Sequence, residues 1–389
     1  MKLKYFPKVG IGDKVMDIID ILDSIEPRLG DINSIGPMMS KPLRASLYAF
    51  IKFIERNLNE YTYFTISKLL SKEVIKSLQE ILNNEPSAPG IITYGGSESN
   101  LTALYVMREL GYNTVITPRN VHKSIIKAAK VLRLRTVVTG VDKDNRASIT
   151  DIVRATREIM KAGKQVFVVL TAGNTETGVI DDAKHLYDEL PDIEVVVDAA
   201  FGGLITPFLD NLELPIYDFR VPSVKCIGVD GHKMGLTPIP SGALLFRNNE
   251  YILPITYDAK YFLKQNKQYS LLWTRTSASA AALWASINYL GYEGFSNIVS
   301  NLLKLTYYLY EELLSLGCTA IKPELPIICF SLGSKKLNSK AIEYLFSRGW
   351  HLYRCPFING LKVTLMPHIN KWILQDFIDD IRRFLLKFK

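Results

Sequence analysis

Residues 193–203 of this 389-residue chain read IEVVVDAAFGG, a short apolar run that ends on an acid and continues into small residues. Such a run, bounded by turn-forming residues, is typical of a strand buried on both faces of a sheet. Asp198 then lies at the carboxyl edge, where open α/β sheets bind ligands. In isolation, an Asp that caps a helix or forms a turn would be the preferred interpretation.

The same alternation of short apolar runs and helical stretches extends from about residue 66 to 269. Strands are predicted at 114–116, 136–139, 166–170, 195–197, 224–229 and 243–246. This pattern indicates an α/β fold with a mainly parallel sheet that has helices on both faces.

The two ends of the chain have different patterns. Residues 13–59 predict an amphipathic helical arm interrupted by prolines, and residues after 290 predict helices at 295–316, 339–347 and 372–388 with strands at 327–331 and 361–366. We therefore expect an N-terminal helical arm (1–60), a large ligand-binding domain (61–290) and a small C-terminal α+β domain (291–389).

A His-Lys pair follows the strand predicted at 224–229, in the run Val229-Asp230-Gly231-His232-Lys233. A lysine captures aldehydes only if its amine can lose a proton near neutral pH, which requires a partly desolvated site. Most of the 47 Lys and Arg residues are expected to be surface charges, so the pair by itself is weak. Combined with Asp198, whose carboxylate could keep a pyridine nitrogen protonated, it indicates pyridoxal chemistry.

Three further segments fit a phosphorylated ring. Residues 95–100 (GGSESN) begin a helix and could bind an anion, although Gly-Gly turns with a Ser cap are common. His122 begins the next helix and could lie on a ring or act as a polar cap. Thr171 begins a hydroxyl-rich loop after the strand at 166–170. Each segment alone favours a purely structural role.

Taken in order, these segments resemble the fold-type I pyridoxal-phosphate enzymes, specifically the group II amino-acid decarboxylases and, among them, the archaeal tyrosine/aspartate decarboxylases. The resemblance covers about residues 91 to 368 and is carried by GGSESN, VDAAFGG, DGHKMGLTPIPSG, TRTSASAAALWA and LMPHI. It implies a seven-stranded type of sheet, pyridoxal 5'-phosphate as cofactor, and α-decarboxylation of an L-amino acid (aspartate, tyrosine or glutamate) to an amine and CO2.

The resemblance also implies roles for individual residues. Lys233 would bind the cofactor covalently, Asp198 would pair with the pyridine nitrogen and His122 would stack on the ring. The phosphate would be held by Ser97, the backbone of Glu98, Ser99 and His232, and the ring would be lined by Thr171 and Ala200.

Two further assignments concern the proton donor and the partner subunit. Tyr261 best matches the tyrosine that returns a proton to the α-carbon, although a packing role is equally compatible with a chain of 20 tyrosines. Thr274 and Arg275 match a Thr-Arg step with which the partner chain completes the cofactor site, so the resemblance implies a homodimer.

The sequence departs from the family pattern at four positions. Asn174 replaces a usual Thr, Gly231 stands where Pro is frequent, and Trp273 stands where a Gly is usual. Lys362 replaces an Arg; because Arg grips a carboxylate with two hydrogen bonds and Lys offers a point charge, this change bears on substrate binding.

Composition argues against several other classes. The chain has no apolar run long enough for a membrane helix and no secretion signal at its start, so we expect a cytoplasmic enzyme. Four cysteines without CxxC spacing are expected to be reduced, and five scattered histidines make a metal site unlikely. The net charge of +8 is spread along the chain, which favours solvated surfaces over a nucleic-acid site.

Three alternatives remain open. A carbon-carbon lyase similar to sphingosine-phosphate lyases shares the His-Lys step, although a lipid substrate predicts a membrane anchor. A tRNA-linked cysteine-forming enzyme of the same fold would suit the basic charge. A noncatalytic interaction protein could keep the fold, but the nearly complete set of site residues argues against it.

Overall fold

The computed structural model describes residues 9, 12–27, 29, 33–60, 62–209, 212–260 and 267–388. Its helices are α1 (Lys14–Ile25), α2 (Arg44–Phe53), α3 (Thr65–Ile81), α4 (Gly96–Glu109), α5 (Lys123–Val131), α6 (Ile149–Lys161), α7 (Ala183–Glu189), α8 (Ala278–Ser315), α9 (Lys335–Ser347) and α10 (Lys371–Phe388). Its strands are β1 (Asn33–Ser34), β2 (Gly90–Thr93), β3 (Thr114–Pro118), β4 (Arg135–Thr139), β5 (Val166–Thr171), β6 (Glu194–Asp198), β7 (Val224–Asp230), β8 (Gly242–Phe246), β9 (Thr256–Asp258), β10 (Lys267–Tyr269), β11 (Thr319–Ala320), β12 (Ile327–Ser331), β13 (Trp350–His351), β14 (Tyr353–Cys355) and β15 (Gly360–Thr364).

The central sheet has seven strands in the order β2-β8-β7-β6-β5-β3-β4. The pairs among β3 to β7 are parallel, whereas β8 runs antiparallel to both β7 and β2. Val195 and Val197 pack into one hydrophobic core and Val196 into the other, so β6 is buried on both faces. This burial explains the uninterrupted apolar runs in the sequence and confirms the predicted mainly parallel sheet.

A second, antiparallel sheet has the order β11-β12-β15-β14. The sequence predicted β12 and β15 but not β11 or β14, because two or three residues are too few for a recognisable alternation. The sheet packs near α8, α9 and α10, whose predicted positions are confirmed within a few residues.

The expectation that all four cysteines are reduced was wrong for two of them. Cys329 on β12 and Cys355 on β14 form a disulfide, with their Cα atoms 5.9 Å apart. Their separation of 26 residues has no recognisable motif, and only the antiparallel pairing of the C-terminal sheet brings them together.

The N-terminal arm combines helices with one short strand. β1 pairs in parallel with β13, and the Ser40 hydroxyl donates a hydrogen bond of 2.6 Å to the carbonyl of Lys233. The arm therefore connects the C-terminal part of the chain with the loop that carries Lys233. The sequence did not indicate these long-range contacts, because it predicted the arm only as helical.

Two predicted helices, at 278–290 and 295–316, join end to end as α8. Gly291 interrupts the helical geometry with φ of 60° and ψ of −175°, a conformation that glycine adopts without strain. The predicted domain division at residues 60 and 290 stays a prediction. In the described parts of the chain, no helix has the length and apolarity needed to cross a membrane.

Candidate active site

A cavity of about 260 Å³ opens at the carboxyl ends of β5, β6 and β7 and the first turn of α4. It brings together seven of the residues predicted from the sequence: Ser97, His122, Thr171, Asp198, Ala200, His232 and Lys233. They meet because parallel strands end at one edge of the sheet, so that each following loop contributes to the same site.

Asp198 ends β6 and is 5% exposed. Its carboxylate accepts hydrogen bonds from the Asn100 side-chain amide at 2.7 Å and from the Ala200 backbone N–H at 3.1 Å. These two donors orient the carboxylate beside the cavity, where it could pair with a cationic group such as a pyridinium N–H.

His122 caps α5 and belongs to the same hydrogen-bond network. Its Nδ1 accepts from the Ser124 backbone N–H at 3.3 Å and lies 2.8 Å from the Ser124 hydroxyl, which in turn accepts from Asn100 at 2.9 Å. Asn100 therefore joins the acid at the end of β6 to the imidazole at the start of α5. The predicted alternatives for His122, a polar cap and a ring-facing group, coexist because the residue also lines the cavity.

Lys233 lies three residues after the end of β7 and reaches back to it. Its Nζ is 3.1 Å from a carboxylate oxygen of Asp230, and the Nε2 of His232 is 3.5 Å from the same oxygen. The Nδ1 of His232 lies 2.7 Å from the Ser241 carbonyl and 3.3 Å from the Ser241 backbone N–H, so the backbone of Ser241 orients the imidazole with its Nε2 toward Asp230.

The first turn of α4 forms one wall of the cavity. Gly95, with φ of 122°, precedes this turn, and a Cβ atom there would lie 2.7 Å from Cε1 of His232. The absence of a side chain thus lets the helix start approach the Lys233 loop, and backbone N–H groups of the first turn face the cavity beside Ser97. Free N–H groups at a helix start favour an anion such as a phosphate.

Two predicted phosphate ligands have side chains that are directed elsewhere. The Ser99 hydroxyl is buried 2.8 Å from the hydroxyl of Thr93. The Glu98 carboxylate accepts from the Tyr94 backbone N–H at 2.7 Å and lies 3.7 Å from Arg275. Burial raises the pKa of Glu98, and Arg275 acts in the opposite direction. The backbone N–H groups of both residues donate to the Gly95 carbonyl, at 3.1 Å from Glu98 and 3.0 Å from Ser99.

The cavity fits pyridoxal phosphate, the cofactor implied by the resemblance. The Thr171 Oγ1 and one Asp230 carboxylate oxygen are buried and have no hydrogen-bond partner among the described residues, and both residues line the cavity. Buried polar atoms without partners are rare in folded proteins and are consistent with a polar ligand. The Lys233 amine could bind the aldehyde of the cofactor, and Asp198 could pair with its pyridine nitrogen. His122 could cover one face of the ring, and the start of α4 could bind the phosphate.

Lys362 on β15 extends the site beyond the cavity wall. Its buried Nζ donates a hydrogen bond of 3.0 Å to the carbonyl of Thr175, which lines the cavity, and lies 5.0 Å from the ring centroid of Tyr353. Burial lowers the pKa of Lys362 to about 8; the Glu176 carboxylate opposes this shift and the Lys233 ammonium adds to it. A cation thus lies within electrostatic range of Lys233.

Other predicted positions lie apart from the cavity. Thr274 is exposed, and Arg275 is buried within its own chain, where it donates hydrogen bonds to the Ile92 carbonyl and to the Asn59 side chain. Arg275 therefore supports β2 and the start of α4 rather than extending toward a partner. Tyr261 lies outside the described residues.

Four site residues had no role in the sequence analysis. Asn100, Ser124 and Asp230 lie in the same segments as residues that were predicted. Their polar side chains at strand or helix ends could have indicated a place in the site. Met38, which also lines the cavity, comes from the N-terminal arm and has no local signal, because only the tertiary fold brings the arm to Lys233.

Comparisons with known proteins agree with this geometry. Residues 54–333 match the family model described as the pyridoxal-dependent decarboxylase conserved domain. The chain is 31% identical over 389 residues to the L-aspartate/L-glutamate decarboxylase of Pyrococcus horikoshii, covering 98% of this chain and 99% of that protein. It is 36% identical over 363 residues to the probable L-tyrosine/L-aspartate decarboxylase of Methanothermobacter thermautotrophicus, covering 90% of this chain and 95% of the other.

Solved structures show the same fold at lower sequence identity. The sphingosine-1-phosphate lyase of Burkholderia pseudomallei superposes with a TM-score of 0.87 at 19% identity, covering 99% of this chain and 93% of the lyase. The glutamate decarboxylase of Lactobacillus brevis gives 0.86 at 17% identity, with 100% and 95% coverage. These likenesses confirm the predicted fold.

Proposed function

Because this chain belongs to the pyridoxal-dependent decarboxylase family, it is a pyridoxal-phosphate carboxy-lyase that acts on amino acids, and we propose that its substrate is L-aspartate. The cofactor and the reaction predicted from the sequence are thereby confirmed. The lyase alternative has less support, since a likeness to a sphingosine-1-phosphate lyase at 19% identity concerns the fold alone.

The substrate proposal rests on the names of two relatives. The decarboxylases of Pyrococcus horikoshii and Methanothermobacter thermautotrophicus are both named for aspartate as one of their substrates. The cation of Lys362 beside Lys233 supports a substrate with carboxylates. The narrow cavity of about 260 Å³, which must also hold the cofactor, favours aspartate over the larger tyrosine.

When bound, pyridoxal phosphate supplies an electron sink for the electron pair that the departing carboxylate leaves behind. Asp198, which accepts hydrogen bonds from Asn100 and Ala200, would pair with the pyridine nitrogen. His122 would cover one face of the ring, and the first turn of α4 together with His232 would hold the phosphate. The positions of these residues around the cavity support the proposed roles.

Lys233 would provide the amine that binds the cofactor. The Asp230 carboxylate, 3.1 Å from the Nζ of Lys233, would hold this amine in place. The Lys362 ammonium, which lies within electrostatic range of Lys233 and donates to the Thr175 carbonyl at the cavity wall, would meet the α-carboxylate of the substrate. We assign this contact to Lys362. Tyr261 remains the predicted donor of the proton to the α-carbon.

A product assay tests the substrate proposal. Purified protein loaded with pyridoxal phosphate is incubated separately with L-aspartate, L-glutamate and L-tyrosine, and any amine is identified by mass spectrometry. We expect β-alanine and CO2 from aspartate. Formation of tyramine or γ-aminobutyrate alone would refute aspartate while leaving the decarboxylase assignment intact.

The Lys362 assignment predicts a pH-dependent KM. Because the Lys362 pKa is about 8, its ammonium is present below that pH and is lost above it, so KM for aspartate should stay constant below pH 8 and rise above it. Lys362→Met should raise KM below pH 8, by roughly tenfold for one charge-assisted hydrogen bond, and its difference from the wild type should shrink above pH 8.

The matched variant is Lys362→Arg, whose guanidinium keeps its charge throughout this range. Its KM should therefore stay flat above pH 8. A wild-type KM that does not change between pH 7 and pH 10, with Lys362→Met equal to wild type, would exclude Lys362 from carboxylate binding.

We also propose that the active species is a homodimer. α1 has no buried residue, and three of its apolar side chains, Met16, Ile21 and Ile25, are more than half exposed. Trp273 and Thr274 are likewise exposed next to each other. Exposed apolar surface of this kind is typical of protein interfaces, and closed two-fold symmetry is the commonest arrangement.

A complementation experiment tests the shared site. Lys233→Ala and Thr274→Ala chains are co-expressed with different affinity tags, and mixed dimers are isolated. If Thr274 acts in the partner's site, each mixed dimer holds one site without either change and should recover activity that both parent dimers lack. A fully active monomer in light scattering would contradict the proposal.

A further inference from the structure

The disulfide between Cys329 and Cys355 lies next to the strand that carries Lys362. Cys329 is paired in register with Lys362 across β12 and β15, and Tyr353 is paired with Lys362 from the other side, across β14 and β15. Both sulfur-bearing residues are buried, at 1% and 0% exposure. The covalent link therefore joins the two strands that flank Lys362.

β14 is a short edge strand of this sheet. It has three residues, stands at the edge, and pairs in the sheet with β15 alone. Tyr353 and Arg354 on this strand are exposed. A short edge strand is held by few ladder hydrogen bonds, so the disulfide at Cys355 is the strongest connection that holds this strand against the sheet.

Tyr353 connects β14 with Lys362. Its ring lies 5.0 Å from the Lys362 ammonium, which is within the range of a cation–π contact, and it is the residue paired opposite Lys362. On its other side the ammonium donates to the Thr175 carbonyl at the cavity wall. Displacement of β14 would remove one of these two supports.

We infer that Cys329 and Cys355 are positioning residues, whose disulfide keeps Tyr353 under Lys362 and thereby sets the affinity of the site for the substrate carboxylate. This inference rests on the proposed role of Lys362. Reduction by a dithiol transfers two electrons and two protons to the S–S bond, gives two thiols and converts the dithiol to its cyclic disulfide. The reduced enzyme keeps every atom of its site but loses the link.

The test compares the oxidised enzyme, the same enzyme reduced with a dithiol at elevated temperature, and the Cys355→Ser variant, all loaded with cofactor. Alkylation after denaturation should label two more cysteines in the reduced protein than in the oxidised one. We expect KM for aspartate to rise about fivefold in the reduced enzyme and in Cys355→Ser, with kcat changed less than twofold. Succinate binding, measured by calorimetry, should weaken by a similar factor.

The control for the reductant is Cys355→Ser itself, in which dithiol treatment should have no further effect. The control for the aromatic contact is a pair of variants: Tyr353→Phe should keep the wild-type KM, whereas Tyr353→Leu should raise it with the disulfide intact. Because reduction leaves the sequence unchanged, the comparison stands even if Cys355→Ser folds poorly.

The outcomes separate this inference from the assignment of Lys362. If Lys362→Met weakens succinate binding but reduction and Tyr353→Leu do not, the positioning role is wrong and the role of Lys362 remains. If Lys362→Met has no effect, the assignment of Lys362 itself fails. Equal thiol counts before and after reduction would show that the bond is absent from the purified protein, which also overturns the inference.

Discussion

Replacement of Lys233 by Ala should abolish both turnover and covalent retention of the cofactor. The reason is that the amine at this position is the nucleophile that binds the cofactor aldehyde, and no other group can replace it without moving. After borohydride reduction, the wild-type protein should keep the cofactor through denaturation, and peptide mapping should locate it on Lys233. The variant should release it.

The same experiment distinguishes Lys233 from Lys362 as the amine that binds the cofactor. Burial lowers the pKa of Lys362 to about 8, so chemistry alone would allow this amine to capture the aldehyde. Its Nζ instead donates to the Thr175 carbonyl, whereas Lys233 lines the cavity itself. Lys362→Met should therefore retain the reduced cofactor, and a label found on Lys362 would refute the site assignment.

Replacement of Asp198 by Asn should keep the fold and reduce turnover by roughly 10²- to 10³-fold, the range for loss of one preorganised electrostatic partner. A neutral amide cannot hold the pyridinium proton, so the electron sink weakens. The amide would also turn its N–H donors toward Asn100 or the Ala200 N–H, which are donors themselves. The measurement is kcat together with thermal unfolding.

Two further variants serve as comparisons for Asp198→Asn. Asp198→Glu keeps the charge and should retain more activity than Asp198→Asn, whereas Asn100→Ala keeps Asp198 but removes one of its two donors and should have an intermediate effect. Turnover near the wild-type level in Asp198→Asn would mean that the acid is only a strand-end residue, the alternative that the sequence left open.

The arm and the disulfide also bear on stability. Ser40 on the arm donates to the carbonyl of Lys233, and the disulfide joins two strands of the C-terminal sheet. The active-site loop is thus supported from parts of the chain that are far apart in sequence. Changes in the arm are expected to affect cofactor binding although, of the arm residues that the structure describes, Met38 alone lines the cavity.

Much of the fold and half of the site were determined by the sequence alone. The strands β3 to β8 were predicted within two residues because a strand buried on both faces requires an apolar run, as in Val195 to Val197, and that requirement is local. Parallel strands then end at one edge, which placed Asp198, Thr171 and Lys233 together without knowledge of any contact.

The tertiary structure alone decided which polar groups meet. Asn100 joins Asp198 to Ser124, Arg275 pairs with Glu98, and Cys329 bonds to Cys355; the partners in these pairs come from different elements of the chain. A hydrogen bond or a disulfide depends on distances of a few ångströms between side chains, and these are set by how whole elements pack, whereas helix and strand formation depends on the pattern of neighbouring residues.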